Sequence, residues 1–277
     1  VRVRVIEAQF FPVRSITMID RNLPPNARQL LTLLAIFIGF IVGIIWLSLL
    51  LVDNLVVLIP VSVEQQLGKL IVPAYERVAK PSPTQDELNK LLDGLETKLE
   101  GEFRESRDYR VLYVPEPTVN AIAIPGDRIV IYRGLLCEME SENELVMVLG
   151  HELGHFAHRD HLRSLGRGVL LRAVVGTFVG DLSWLESAAV ALSAARFSQS
   201  QERQADEFGL ELLNSYYSHV AGATDFFERL NEKPGVEFAF FSTHPNPGDR
   251  VKRLNRLIEK RGYPIGKKQP LTEIVDC

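Results

Sequence analysis

The chain has 277 residues, enough for one sizeable domain with extra segments, and its formal net charge of -4 comes without a basic run of the kind that binds nucleic acid. Its two cysteines, Cys137 and Cys277, exclude a disulfide framework and a C-x-x-C zinc site. Cys137 follows Leu135 and Leu136, so the expectation for it is a buried free thiol.

Residues 1–28 open with "VRVRVIEAQFFPVRSITMID", which alternates like strands and reads as a β-like remnant in a fragment or processed chain. Next comes "LLTLLAIFIGFIVGIIWLSLLLV", residues 30–52, without a single charge. At about 1.5 Å per residue it can cross a hydrocarbon core of about 30 Å. One transmembrane helix is expected over residues 29–53, touching membrane lipid through 30–52. Arg14, Arg21 and Arg28 precede it, so the N-terminus is expected in the cytoplasm. The rest of this single-pass protein then lies on the non-cytoplasmic side, the periplasm in a bacterium. A juxtamembrane segment and linker covers 54–83 and ends near "AKPSPTQ".

Thr84 and Glu87 read as caps of an amphipathic helix whose apolar side carries Leu88, Leu91, Leu92, Leu95 and Leu99. "YRVLYV", "VNAIAI" and "RIVIY" read as three short strands, with Pro125-Gly126-Asp127 turning between the last two. "SENELVMVLGHELGHFAH" then reads as a helix capped by Ser141 and Glu144. His151 and His155 share one face of it, and two imidazoles so placed can bind one zinc ion from one side. Glu152 can reach a water on that metal without being a ligand. Zinc would acidify the water and Glu152 would take its proton. A helix that merely carries two histidines is the plainer reading. Gly150 and Gly154 weaken a helix interior, which points to close packing of another segment there. His158 and His161 read as hydrogen-bonded structural residues.

From Gly168 to Ala195 the chain is apolar but broken by Arg172, Asp181 and Glu186. Two helices covering the site are expected, not a second span. In "FSQSQERQADEFG", Ser198 and Gln201 can cap a helix on which Glu202 and Asp206 share a face. Glu202 could supply a third ligand, and Asp206 could fix the tautomer of a ligand histidine. A solvated acid-rich helix with Arg203 as partner fits the same residues.

"HELGH" followed by "ERQAD" resembles the zinc peptidase family of HtpX-type membrane proteases and CAAX prenyl-protein endopeptidases. "NAIAIPGDRIVIYRGLL", residues 120–136, and "STHPNPGDRVKRL", residues 242–254, resemble two further segments of that family, and the likeness covers roughly residues 65–262. It implies an α+β, mainly α fold: a zincin-like metalloprotease domain with a small β-sheet over 84–262, followed by a tail over 263–277. It implies one zinc ion per chain, held by His151, His155 and Glu202, with Glu152 as general base and Asp206 behind a ligand. His244 would lie near the metal, either stabilising the oxyanion or plugging the open position. Arg250 would orient the oxyanion or anchor its loop to a carboxylate. Asn120, Ala121, Ile122 and Ala123 would form a strand edge that pairs with an extended substrate. Asp127 stands where relatives commonly carry glycine, with little consequence expected. The resemblance implies a membrane-anchored endopeptidase acting on unfolded or misfolded proteins. A prenyl-protein processing peptidase and a non-cutting chaperone-like assembly factor are the alternatives, and oligomerisation stays open.

Overall fold

The computed structural model describes residues 26–101, 104, 106–179, 197–232, 239–244, 247–271 and 277. The strand-like reading of the first 25 residues, and residues 180–195 of the apolar region expected to form two helices, lie outside them. The chain divides into two compact units, residues 1–46 and 47–277.

The described part of the first unit is helix α1, which runs Ala27–Leu55 and so continues into the second. It is long and apolar enough to cross a membrane. Its large side chains face outward, with Leu31 65% and Trp46 63% exposed. Water does not tolerate such a surface over so many turns.

In the second unit a 3-10 turn, Val56–Leu58, leads into α2, Val61–Glu76. Helix α3, Pro83–Glu96, starts earlier than expected. Ser82, not Thr84, is its N-cap and accepts a bond from the Gln85 amide. Proline suits the first helical position, where a missing N–H costs nothing, so the Ser-Pro pair sets the start.

The strands are β1, Arg110–Val114, β2, Ala121–Ile124, and β3, Arg128–Tyr132. β3 lies in the middle, parallel to β1 and antiparallel to β2. Val111, Tyr113, Ala121, Ala123, Ile129 and Ile131 join the main core with the α3 leucines. Leu112, Val114, Ile122, Ile124 and Val130 pack on the other face with Ile71 and Tyr75 of α2. Burial on both faces explains why the strands read as nearly unbroken apolar runs.

Seven helices follow: α4, Arg133–Cys137; α5, Glu142–Ala157; α6, Asp160–Val179; α7, Gln199–Tyr217; α8, Asp225–Asn231; α9, Ala239–Thr243; and α10, Pro247–Arg261. The described residues are thus mainly helical around a small three-stranded sheet, as expected.

Two expectations fail. Cys137 is exposed, not a buried thiol, and forms a disulfide with Cys277. Leu135 and Leu136 turn inward from the short α4, which leaves the cysteine facing out. The tail returns past it: Glu142 N donates to Gln269 O, and Gln269 N donates to Asn143 Oδ1. Asp127 also has consequence. Its φ of 60° is the left-handed conformation that favours glycine. Its buried carboxylate accepts from Arg107 Nη1 at 2.6 Å.

Candidate metal centre

The site forms where α5 crosses α7. A Cβ on Gly150 would lie 3.0 Å from Gly209 Cα, and one on Gly154 would lie 2.8 Å from Ala205 Cα. The two backbones therefore touch, which is the close packing that the glycines of α5 foretold. Gly209 completes the contact from the α7 side. The crossing turns His151, Glu152 and His155 toward Glu202 and Asp206, and all five are buried. Helix α7 begins with a full capping box between Ser198 and Gln201, which fixes Glu202 in its first turn.

Donor atoms converge on one point. His151 Nε2 lies 3.1 Å from His155 Nε2 and 3.2 Å from His244 Nδ1. Glu202 Oε1 lies 3.6 Å from His155 Nε2 and 2.9 Å from His244 Nδ1. Ligand atoms around a four-coordinate zinc at about 2.1 Å sit roughly 3.4 Å apart, close to these spacings. The far ring nitrogens explain the fit. His151 Nδ1 meets Asp206 Oδ1 at 3.1 Å, and His155 Nδ1 meets Asp160 Oδ2 at 3.1 Å. A carboxylate only accepts, so each Nδ1 carries the proton and each Nε2 turns a lone pair inward. Two lone pairs facing each other suit a shared cation. The residues therefore fit a metal ion, with His151, His155, Glu202 and His244 as its available donors.

Sequence reasoning found Asp206 but not Asp160. Asp160 is fully buried; Gln201 Nε2 donates to it at 2.8 Å and Arg163 Nη1 at 3.1 Å. Gln201 thus caps α7 with its carbonyl and holds the His155 partner with its amide.

Arg250 is 1% exposed. It contacts two carboxylates: Nη2 donates to Asp206 Oδ1 at 2.6 Å, and Nη1 lies 3.1 Å from Glu202 Oε2. The face of Phe227 lies 4.1 Å from its guanidinium carbon. Arg253, which sequence reasoning missed, donates to Asp206 Oδ2 at 2.6 Å.

Charge follows from these contacts. Burial, then Arg250, hold His151 down at about 3, so its imidazole is neutral, as a ligand must be. Burial alone would raise Glu202, but His244 and Arg250 hold it below the usual carboxylate range. Burial pushes Glu152 up to about 7, a poise suited to taking and returning a proton at neutral pH. Among the described residues neither of its carboxylate oxygens has a hydrogen-bond partner.

Asn120, Ala121, Ile122 and Ala123 are also brought here. Asn120 immediately precedes β2, the edge strand beside α5, the other three start it, and all four are buried. The Ala123 amide faces Glu152 and opposes the rise of its pKa. Thr243 Oγ1 donates to Asn120 Oδ1 at 3.4 Å and Phe240 N to Val119 O at 2.9 Å, tying the strand to the helix before His244. His158 and His161 bond to Gly154 O and to Glu64, the structural roles expected of them.

The family model described as peptidase family M48 matches residues 84–258. Mitochondrial metalloendopeptidase OMA1 of Arabidopsis thaliana is 33% identical over 155 residues, covering 54% of this chain and 32% of that protein. Metalloprotease LoiP of Escherichia coli is 32% identical over 154 residues, covering 52% and 60%. A protease HtpX homolog of Thermoplasma acidophilum is 25% identical over 290 aligned positions, covering 80% and 89%. The chain thus spans less than two thirds of the length of the first two. The matched family segment contains the metal helix, its carboxylate partner helix and Arg250. This chain belongs to peptidase family M48.

Proposed function

We propose that this chain is a membrane-anchored zinc endopeptidase that cuts unfolded or misassembled proteins. The convergence of the His151, His155 and Glu202 donor atoms beside the buried Glu152 carries the reading. Bound there, zinc would polarise the scissile carbonyl and acidify a water molecule. Glu152 would take the proton of that water and pass it to the leaving amine. Asp206 and Asp160 would keep the two rings turned inward while this happens. The free edge of β2, at Asn120, Ala121, Ile122 and Ala123, would pair with substrate as an added strand. Backbone pairing selects for extended chain over side-chain sequence, which favours unfolded protein. The protease names of the relatives support the same class of activity.

α1 would be the anchor, with the catalytic unit on the non-cytoplasmic side. The arginines before α1 support that orientation, and so does the disulfide, because such bonds persist in oxidising compartments.

One observation favours a latent resting form. His244 Nδ1 stands within the donor set, and a fourth protein ligand would close the position that catalysis needs open. The test compares cleavage of an unfolded model protein by the detergent-purified chain and by Glu152→Gln at equal zinc content. Cleavage by the parent alone is expected, and equal cleavage by both removes Glu152 as the base. His244→Ala is expected to raise proteolysis. Unchanged or lower activity counts against the plug.

A further inference from the structure

Beyond α1 the chain goes on exposing large apolar side chains. Leu58 is 72% exposed, Val63 42% and Leu70 79%. Val63 and Leu70 are seven residues apart, so they share one face of α2, about a third of a turn from the face that buries Glu64, Gly68, Ile71 and Tyr75. Leu67 continues the exposed stripe into an apolar recess of 450 Å³. Its other walls are Leu51 and Leu55 from the end of α1, and Leu162 and Leu165 from α6. On the neighbouring flank of the same helix end lies a polar cavity of 490 Å³, lined by Asp53, Arg159, Arg163 and Arg167. Arg167 pairs with Asp53 and Arg163 with Asp160.

Chain connectivity fixes the level of these features. Residues 30–52 carry no charge and Asp53 is the first, so a spanning α1 leaves the hydrocarbon near Asp53. α2 begins eight residues later, after a tight turn.

We infer that the outer face of α2, with Leu58, lies in the interface of a phospholipid bilayer. Acyl chains fill the recess. The inference rests on the reading of α1 as a membrane span. It has a consequence for the metal site. From the buried side of α2, Glu64 accepts from Arg107 at 2.8 and 2.9 Å and pairs with His161 Nε2 at 2.7 Å. Arg107 also bonds Asp127 in the β2–β3 turn, and His161 Nδ1 lies 3.3 Å from the His155 carbonyl. A helix seated on the membrane would therefore hold the sheet edge and the metal helix at a fixed height above it.

The test uses the full chain in vesicles of phosphatidylcholine and phosphatidylglycerol brominated at different acyl depths. Leu70→Trp is made with Trp46→Phe and Trp184→Phe; a second protein keeps Trp46 alone. Leu70 is exposed, so the larger ring is tolerated, and Val63→Trp repeats the measurement at an independent position. The expected result is quenching of the α2 probes at a depth of about 5–10 Å from the headgroups. Trp46 should be quenched more deeply. Quenching of Trp46 with the α2 probes open to aqueous iodide overturns the inference and keeps the membrane span. Probes shielded from both bromine and iodide overturn it in favour of a protein partner. An unquenched Trp46 removes the span and the inference with it.

Discussion

His151 and His155 each give one ring nitrogen to a buried carboxylate, yet only one of those carboxylates could be read from sequence. Asp206 lies four residues after Glu202 on a continuous helix, where spacing maps directly onto a shared face. Asp160 lies five residues after His155, and on a continuous helix it would point well away. The helix ends at His158, and Arg159 has a φ of 56°, a left-handed turn that swings Asp160 back beneath the ring. No periodicity encodes such a turn. Arg250 was ambiguous for a related reason: its partner Asp206 is 44 residues away, and only the fold brings them together. Asp160→Ala should weaken zinc binding by about 10–100-fold, the usual loss when a ligand histidine loses its orienting partner. Asp160→Asn should lose less, because its amide oxygen can still accept from His155 Nδ1. Competition with a chromophoric chelator reads both without relying on turnover. Equal affinity in parent and alanine variant would show that the ring is held by packing alone, for instance by its stack on Phe197.

Between elements, the α5–α7 crossing decides whether the candidate ligands meet. The sequence signalled that something packs close to Gly150 and Gly154, because glycine inside a helix needs a reason. It did not signal what, since Ala205 and Gly209 look unremarkable in a helix of their own. The three strands were legible from their β-branched runs, but their order was not. Pairing β1 with β3 in parallel depends on distant contacts rather than on local turn chemistry. Gly154→Ala tests the crossing. Its methyl would meet the Ala205 backbone at 2.8 Å, and backbone cannot rotate aside as a side chain can. The helices must separate, at a cost of about 1–3 kcal/mol typical of overpacking. The denaturation midpoint should fall and zinc affinity should fall with it, because His155 and Glu202 sit on opposite sides of the seam. A lower midpoint with unchanged affinity would mean that the ligands follow the helices without strain.

Across the whole molecule, the apolar span was legible from composition alone, whereas the closure of the catalytic unit was not. Two cysteines 140 residues apart give no pairing signal, and two leucines beside Cys137 argued for burial. The fold decides otherwise by turning α4 outward and running the tail back along the start of α5. The resulting loop encloses the metal helix and its partner helix. Chain-entropy arguments give about 5 kcal/mol for closing a loop of that size, and measured losses for native disulfides run at about 2–5 kcal/mol. Cys137→Ser, Cys277→Ser and the double substitution should therefore lower the urea midpoint by the same amount, since each removes the same link. Reductant should reproduce the shift in the parent and leave all three variants unmoved. Zinc affinity in the absence of urea should stay constant, because the bond joins α4 to the tail and touches neither α5 nor α7. If the double variant loses less than either single one, a freed thiol is causing part of the damage. If none of them shifts, the tail contacts at Gln269 already hold the loop closed.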